Sequence, residues 1–532
     1  GDGVRIKNAT GNFIGSASAL GLETGASNTI VANRESGVLV YRSNAGTMAT
    51  ANRIENNLIR DNKGGVRLNV GPGAGILIVE SRNVVVGVNT ITRNADGVRV
   101  VDSTAVQIAG NAIGVDFATD GAVGNTGHGI YTKNSSSVEV VGGNTIGGNH
   151  GDGVAIDVGS TGVRVAGNSI GLFPTGRRAA NAGNGISISS AIGNTVGANK
   201  VAYNEAAGVR IADGKATSLS AGNRVIGAEI FENLAAGVQV DGGAFASIGG
   251  TGASDGNIIR NNAGGGVRID WSAVTGSPTS HIVQKNLIGT DANGSMQVLG
   301  NGGAGITISG GVANTVSHGN VVMNNGGPGV EIAGGSANVV GGTASGTGNT
   351  IENNNGSGIR VTSGTAGSTT LQSARDNMVM GNVIRGNKES GVDASGNVNG
   401  LTVGEQVTAQ GVAGKGNVIE GNLGQGVQVG GAAQRVAIQG NSIRDNGRAA
   451  VSLDPGVNRS AALALSLEAV ELRQQSGSGQ QVVVTGSLSN PKYPYQQYSV
   501  EIYANDPSEG DYISLADYEL SRYLGRATVT TD

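Results

Sequence analysis

With 532 residues, 95 of them glycine, and a formal net charge of −4, the chain carries no global pull toward nucleic acid or anionic membranes. It has no cysteine, which excludes disulfides and thiolate metal sites, and its glycines lack the three-residue period of collagen. Apolar residues make up 38% and recur at fixed positions, which excludes disorder.

From Gly3-Val4-Arg5-Ile6 onward, one phrase returns about sixteen times: glycine, a β-branched residue, any residue, an aliphatic. Examples are Gly65-Val66-Arg67-Leu68, Gly97-Val98-Arg99-Val100, Gly208-Val209-Arg210-Ile211, Gly358-Ile359-Arg360-Val361 and the last, Ala450-Val451-Ser452-Leu453. Copies lie roughly 23 to 39 residues apart, a solenoid period. Within one repeat, Gly97–Val100, Ala105–Ile108 and Asn111–Ile113 each alternate apolar and polar residues, as short strands with one buried face do. Three such strands per turn predict a parallel β-helix of about sixteen coils, stacked about 4.8 Å apart into a rod of roughly 75 Å.

A second phrase, Asn-x-(Ile/Val)-x-x-Asn, precedes the first. Its later asparagines are Asn62, Asn94, Asn149, Asn204, Asn262, Asn325, Asn354, Asn387, Asn422 and Asn446. Asparagine tolerates left-handed backbone, and its amide can bond its equivalent one coil away, so these residues are expected at turns as a structural ladder. A catalytic site needs one copy, and every coil carries them.

Three longer excursions, 113–129, 170–185 and 288–305, return through Asn125, Asn181 and Asn301 and predict loops on one side of the rod. Asp291-Ala292-Asn293-Gly294 is rich in oxygen ligands but lacks the remaining carboxylate spacing of a calcium loop, so calcium is the one cofactor it suggests and the expectation is none. The repeat ends near Leu453. Seven of the ten tyrosines follow within the tail, and alternating stretches at Gln481–Val484, Tyr498–Tyr503 and Arg526–Val529 predict a small β-sandwich over 461–532 that looks incomplete at Asp532. Residues 1–460 would form the β-helix. The chain opens at Gly1 in mid-repeat and carries no apolar run long enough to span a membrane, so it is expected to be a segment of a longer protein whose export signal lies outside it.

The recurring Gly-Val-x-Val and Gly-Asn-x-Ile-x-x-Asn phrases, as at Gly110-Asn111-Ala112-Ile113 and Gly416-Asn417-Val418-Ile419, resemble right-handed parallel β-helix proteins of the pectate-lyase-like superfamily. The Ile288–Gly294 excursion and the tail from Tyr498 look like large bacterial surface or secreted proteins in which β-helix repeats precede β-sandwich modules. The superfamily spans lyases, hydrolases, epimerases, tailspikes and adhesins, so the resemblance implies a fold and no single chemistry.

Enzymes of this fold act from the groove outside one sheet, onto which the central residue of each phrase projects. Those positions run Arg5, Leu39, Arg67, Arg99, Tyr131, Ala155, Ser187, Arg210, Gln239, Arg268, Thr307, Glu331, Arg360, Asp393, Gln428 and Ser452. Glu331, Arg360 and Asp393 fall on consecutive coils, which would put the two carboxylates about 9.6 Å apart, at the upper end of the inverting-glycosidase range. Thr307 and Gln428 beside them offer neither further acids nor aromatic sugar platforms, so a solvated charge trio stabilising adjacent strands is the preferred reading. Arg67, Arg99, Arg210 and Arg268, with Tyr131, offer guanidinium forks and an aromatic face to an acidic glycan. The Asp-Pro-His-Glu signature of alginate epimerases is absent. Four scattered histidines, His128, His150, His281 and His318, read as turn residues and not as a metal site. The expectation is therefore a rod at the cell surface or outside the cell, contacting glycans or copies of itself. The alternative is a polysaccharide-degrading enzyme using Glu331, Arg360 and Asp393.

Overall fold

A computed structural model describes residues 1–15, 28–65, 72–119, 121–271, 279–291, 299–344, 346–364, 373–408, 411–413, 415–454 and 457. It also describes the backbones of four later strands. Three parallel sheets of 16, 15 and 15 strands run the length of the repeat region, and each strand pairs with its counterparts one turn before and after. One turn of the chain, here a rung, adds one strand to each sheet. The rung containing Asp96–Val101, Thr104–Ala109 and Ala112–Ile113 places its three strands where the alternation predicted them. The fold is a parallel β-helix.

The register follows from burial. Val98 and Val100 stack on Ile76 and Ile78 before them, Val98 also stacks on Ile130 after, and all are fully buried in one continuous apolar column from Ile6 to Val457. A slip of one residue would turn every inward side chain out to water, so the apolar rhythm fixes the stacking. The phrase's glycine has a separate cause. A Cβ on Gly153 would lie 2.6 Å from Gly185 O, 2.8 Å from Ile170 Cγ2 and 2.9 Å from Asn181 Nδ2. The corner is closed by the next rung's backbone, the third sheet's core residue and a ladder amide together, and only glycine leaves them room.

In the third rung the first-sheet strand is Ala74–Val79, with Leu77 in register between Leu39 and Arg99. The reading of Gly65-Val66-Arg67-Leu68 as that strand is therefore corrected. Gly75-Ile76-Leu77-Ile78 fits the same phrase and supplies a wholly apolar strand, whereas residues 66–71, Arg67 among them, lie outside the described residues.

In the tail, Ala464–Gln474 pairs antiparallel with Gln480–Ser489, and Gln497–Ala504 with Arg522–Thr530. The three stretches singled out by alternation fall inside these strands. No described helix is long and apolar enough to cross a membrane.

Candidate functional site: the asparagine columns and the outer face of the first sheet

The asparagines form hydrogen-bonded columns at the corners. Between the third and first sheets, Nδ2 of each residue donates to Oδ1 of the next rung's asparagine at 2.8–3.2 Å, from Asn33 through Asn62, Asn94, Asn125, Asn149, Asn181 and Asn204. The column continues through Asn233, Asn262, Asn301, Asn325, Asn354, Asn387 and Asn422 to Asn446. The backbone N–H of most members donates to the same oxygen, as Asn94 does to Asn125 at 3.0 Å. Two donors on one carbonyl oxygen satisfy corner groups that no sheet ladder reaches. The left-handed residue at this corner is the one before the asparagine, such as Asp61 (φ 58°), Arg93 (φ 53°) or Glu232 (φ 54°), and not the asparagine itself. That bend aims the amide inward.

A second column joins the second sheet to the third, from Asn28 through Asn57, Asn89, Asn111, Asn144 and Asn168 to Asn199. It lapses at Ala228 and resumes from Asn257 to Asn441. A third, shorter set opens the second sheet at Asn194–Asn223 and Asn314–Asn338–Asn377. His281 occupies that third position. Its Nδ1 accepts the Ala246 N–H at 3.0 Å and its own N–H donates to Asn314 Oδ1 at 3.0 Å, as an asparagine's would. Its Nε2 is buried with no hydrogen-bond partner, and burial pushes its pKa down to about 4. His281 is thus an interior residue and not a turn histidine.

On the outer face of the first sheet, the rungs of Arg99, Tyr131 and Asp157 carry a partly buried polar cluster. Arg99 Nη1 bonds Asp96 Oδ2 at 2.8 Å, and its guanidinium lies 4.0 Å from the Tyr131 ring centroid. Tyr131 Oη donates to Asp157 Oδ2 at 2.6 Å, while the His128 ring stacks on Tyr131 at 5.8 Å. His128 Nδ1 accepts the Asp152 N–H at 3.0 Å, which assigns the ring proton to Nε2. Burial, then the bond to Asp157, holds the Tyr131 phenol well above its usual range. Arginine, phenol and imidazole are each held by a neighbour, which fixes the position of the Tyr131 ring.

Arg210 and Arg268 are paired too. Arg210 Nε bonds Asp241 Oδ2 at 2.6 Å and Arg268 Nε lies 2.6 Å from Asp270 Oδ2. Both aspartates stand two residues beyond the central position of their strands, on the same face. Glu331, Arg360 and Asp393 are in direct register on three consecutive rungs. Arg360 lies 3.9 Å from each carboxylate. Burial raises the Asp393 carboxyl above the usual carboxylate range, with Arg360 opposing. Among the described residues no group of three or more His, Asp and Glu is placed to hold a metal ion, and residues 292–298 of the oxygen-rich excursion lie outside them.

The repeat agrees with what known sequences show. The family described as "Right handed beta helix region" matches residues 1–170, and the three parallel sheets carry the parallel β-helix on through the rest of the repeat region. No curated protein matches it. Among solved structures, the mannuronan C-5 epimerase AlgE6 A-module of Azotobacter vinelandii aligns at 10% identity over 76% of this chain and 91% of that one, with a TM-score of 0.36. PfbA, a surface adhesin of Streptococcus pneumoniae, aligns at 11% identity over 86% and 91%, with a TM-score of 0.27. One is an enzyme and the other an adhesin, and likenesses this distant assign neither role.

Proposed function

We propose that the protein is a rigid rod, at the cell surface or outside the cell, that adheres to glycans or to copies of itself. The observation supporting this reading is that four outward arginines of the first sheet close on carboxylates: Arg99 on Asp96, Arg210 on Asp241, Arg268 on Asp270, and Arg360 between Glu331 and Asp393. What remains is a polar face over an apolar core, with Tyr131 as a half-buried ring braced by Arg99 and His128. A braced aromatic with polar groups around it suits the face of a sugar, and holding it rigid lowers the entropy lost on contact. Arg99, Tyr131, Arg210 and Arg268 are the contact residues in this reading.

The test is a glycan array read beside sedimentation of the whole chain. Binding that falls on Tyr131→Ala, or concentration-dependent association, supports the rod. A strictly monomeric chain that ignores every arrayed glycan ends it. One observation favours a second reading, a polysaccharide-degrading enzyme: the raised Asp393 carboxyl, two rungs from Glu331, is what a general acid requires.

A further inference from the structure

Where the first sheet turns into the second, the early rungs leave an open groove of about 400 Å³. Each rung contributes a three-residue corner, as in Glu80-Ser81-Arg82 and Asp102-Ser103-Thr104. Glu80, Asp102 and Asn134 stack as one wall, all in the left-handed region with φ of 45°, 50° and 46°, which turns their side chains outward. Arg82 and Thr104 stack as the other wall, in parallel register. Ser81 and Ser103 form the floor. Their hydroxyls donate to Val79 O and Val101 O at 2.8 and 2.7 Å, so the floor is both small and fixed.

The walls are less committed. Asp102 Oδ1 accepts Asn134 Nδ2 at 2.6 Å and Glu80 Oε2 accepts Arg42 Nε at 2.7 Å, and no hydrogen bond or ion pair engages the Arg82 guanidinium among the described residues. Two carboxylates thus line the groove together with the Arg82 guanidinium, and Arg42 balances Glu80. Such balance favours no ion of either sign. It suits hydroxyls, which donate to carboxylates and accept from guanidinium and amide. The volume lies within the usual range of small-molecule sites, roughly 300–1,000 Å³. Its long axis follows the stacking direction, so equivalent groups recur about every 4.8 Å.

We infer that this corner groove is a binding site for a neutral oligosaccharide chain lying along the rod axis, with Asp102 and Arg82 as its principal hydrogen-bonding groups. The inference rests on the glycan reading above but places the contact at the corner, apart from the Arg99–Tyr131 platform.

The experiment measures binding of the full chain to immobilised neutral gluco-, galacto- and manno-oligosaccharides, beside alginate and polygalacturonate oligomers and calcium alone. Neutral chains are expected to bind. Arg82→Ala and Asp102→Ala should each weaken binding about tenfold, the loss of roughly one charge-assisted hydrogen bond. Asp213→Asn, at the same left-handed corner farther along the rod, should change nothing, and thermal unfolding of all three should match the parent. Neutral binding indifferent to both groove variants, or binding of acidic oligomers or calcium only, overturns the groove and leaves the rod's glycan contact standing elsewhere. A chain that binds no saccharide of either set removes the glycan reading and the groove together.

Discussion

Asn94 and Asn125 are 31 residues apart, yet the backbone N–H and side-chain Nδ2 of the first both donate to Oδ1 of the second, at 3.0 and 3.2 Å. Deleting one amide from the middle of such a column leaves two donors on the rung before it without their shared oxygen and takes one of two donors from the oxygen on the rung after. Loss of the Asn149 amide would do this to the backbone N–H and Nδ2 of Asn125 and to Oδ1 of Asn181. Each unmet buried group costs about 1–3 kcal/mol. Asn149→Ala should therefore destabilise by at least about 2 kcal/mol, and hydrogen exchange should show faster opening at the backbone N–H groups of Asn125 and Asn149. Exchange indistinguishable from the parent would mean the columns contribute nothing.

Ala228 interrupts the second column between Asn199 and Asn257. Ala228→Asn would give the Asn199 N–H and Nδ2 an oxygen to meet and would hand its own amide to Asn257. Denaturant titration should show a gain of about 1 kcal/mol. A loss would show that the rung has closed down around the methyl group.

His281 makes the rod acid-sensitive. Burial lowers its folded pKa to about 4 from the ordinary 6.5, so between those values the unfolded chain binds a proton that the folded chain refuses. Its contribution is complete above pH 6.5 and is lost as pH falls toward 4, by about 3 kcal/mol. His281→Asn should keep both ladder bonds and flatten that slope, as melting temperatures taken across the window would reveal.

The corner glycines leave no space for a methyl. Gly153→Ala brings a Cβ within 3 Å of a carbonyl oxygen, a core methyl and a ladder amide at once, and should cost roughly 1–3 kcal/mol by forcing adjacent rungs apart. Thermal unfolding would show it, and Gly1→Ala, where a Cβ meets nothing within 4 Å, is the neutral comparison.

Glu331→Gln combined with Asp393→Asn separates rod from enzyme. A scaffold keeps its fold and its glycan contact, within about 1 kcal/mol for ion pairs as long as 3.9 Å. Depolymerisation of acidic polysaccharide by the parent, abolished in the double variant, would establish the catalytic reading.

Much of this was legible in the chain because burial has a period. Positions such as Val98, Val100 and Ile113 announce their direction by alternation, and the first column's asparagines recur at a near-constant distance before the glycine. In the third rung Gly65–Leu68 keeps the usual spacing from Asn62, while the strand lies one insertion later at Ala74–Val79. Apolar demand overrode spacing. The partners of Arg210 and Arg268 were readable, since Asp241 and Asp270 share their face by the two-residue period. The identity of His281 as an honorary asparagine was not, because only register across 33 residues to Asn314 reveals it.

Every amide in these columns points the same way, donor toward the later rung. Sheet and column bonds alike therefore lie along the long axis, in series. Layers joined in series each carry the whole of an end-to-end pull, so stretching should part the molecule first at its weakest layer, and the gap that Ala228 leaves in the second column marks one such place.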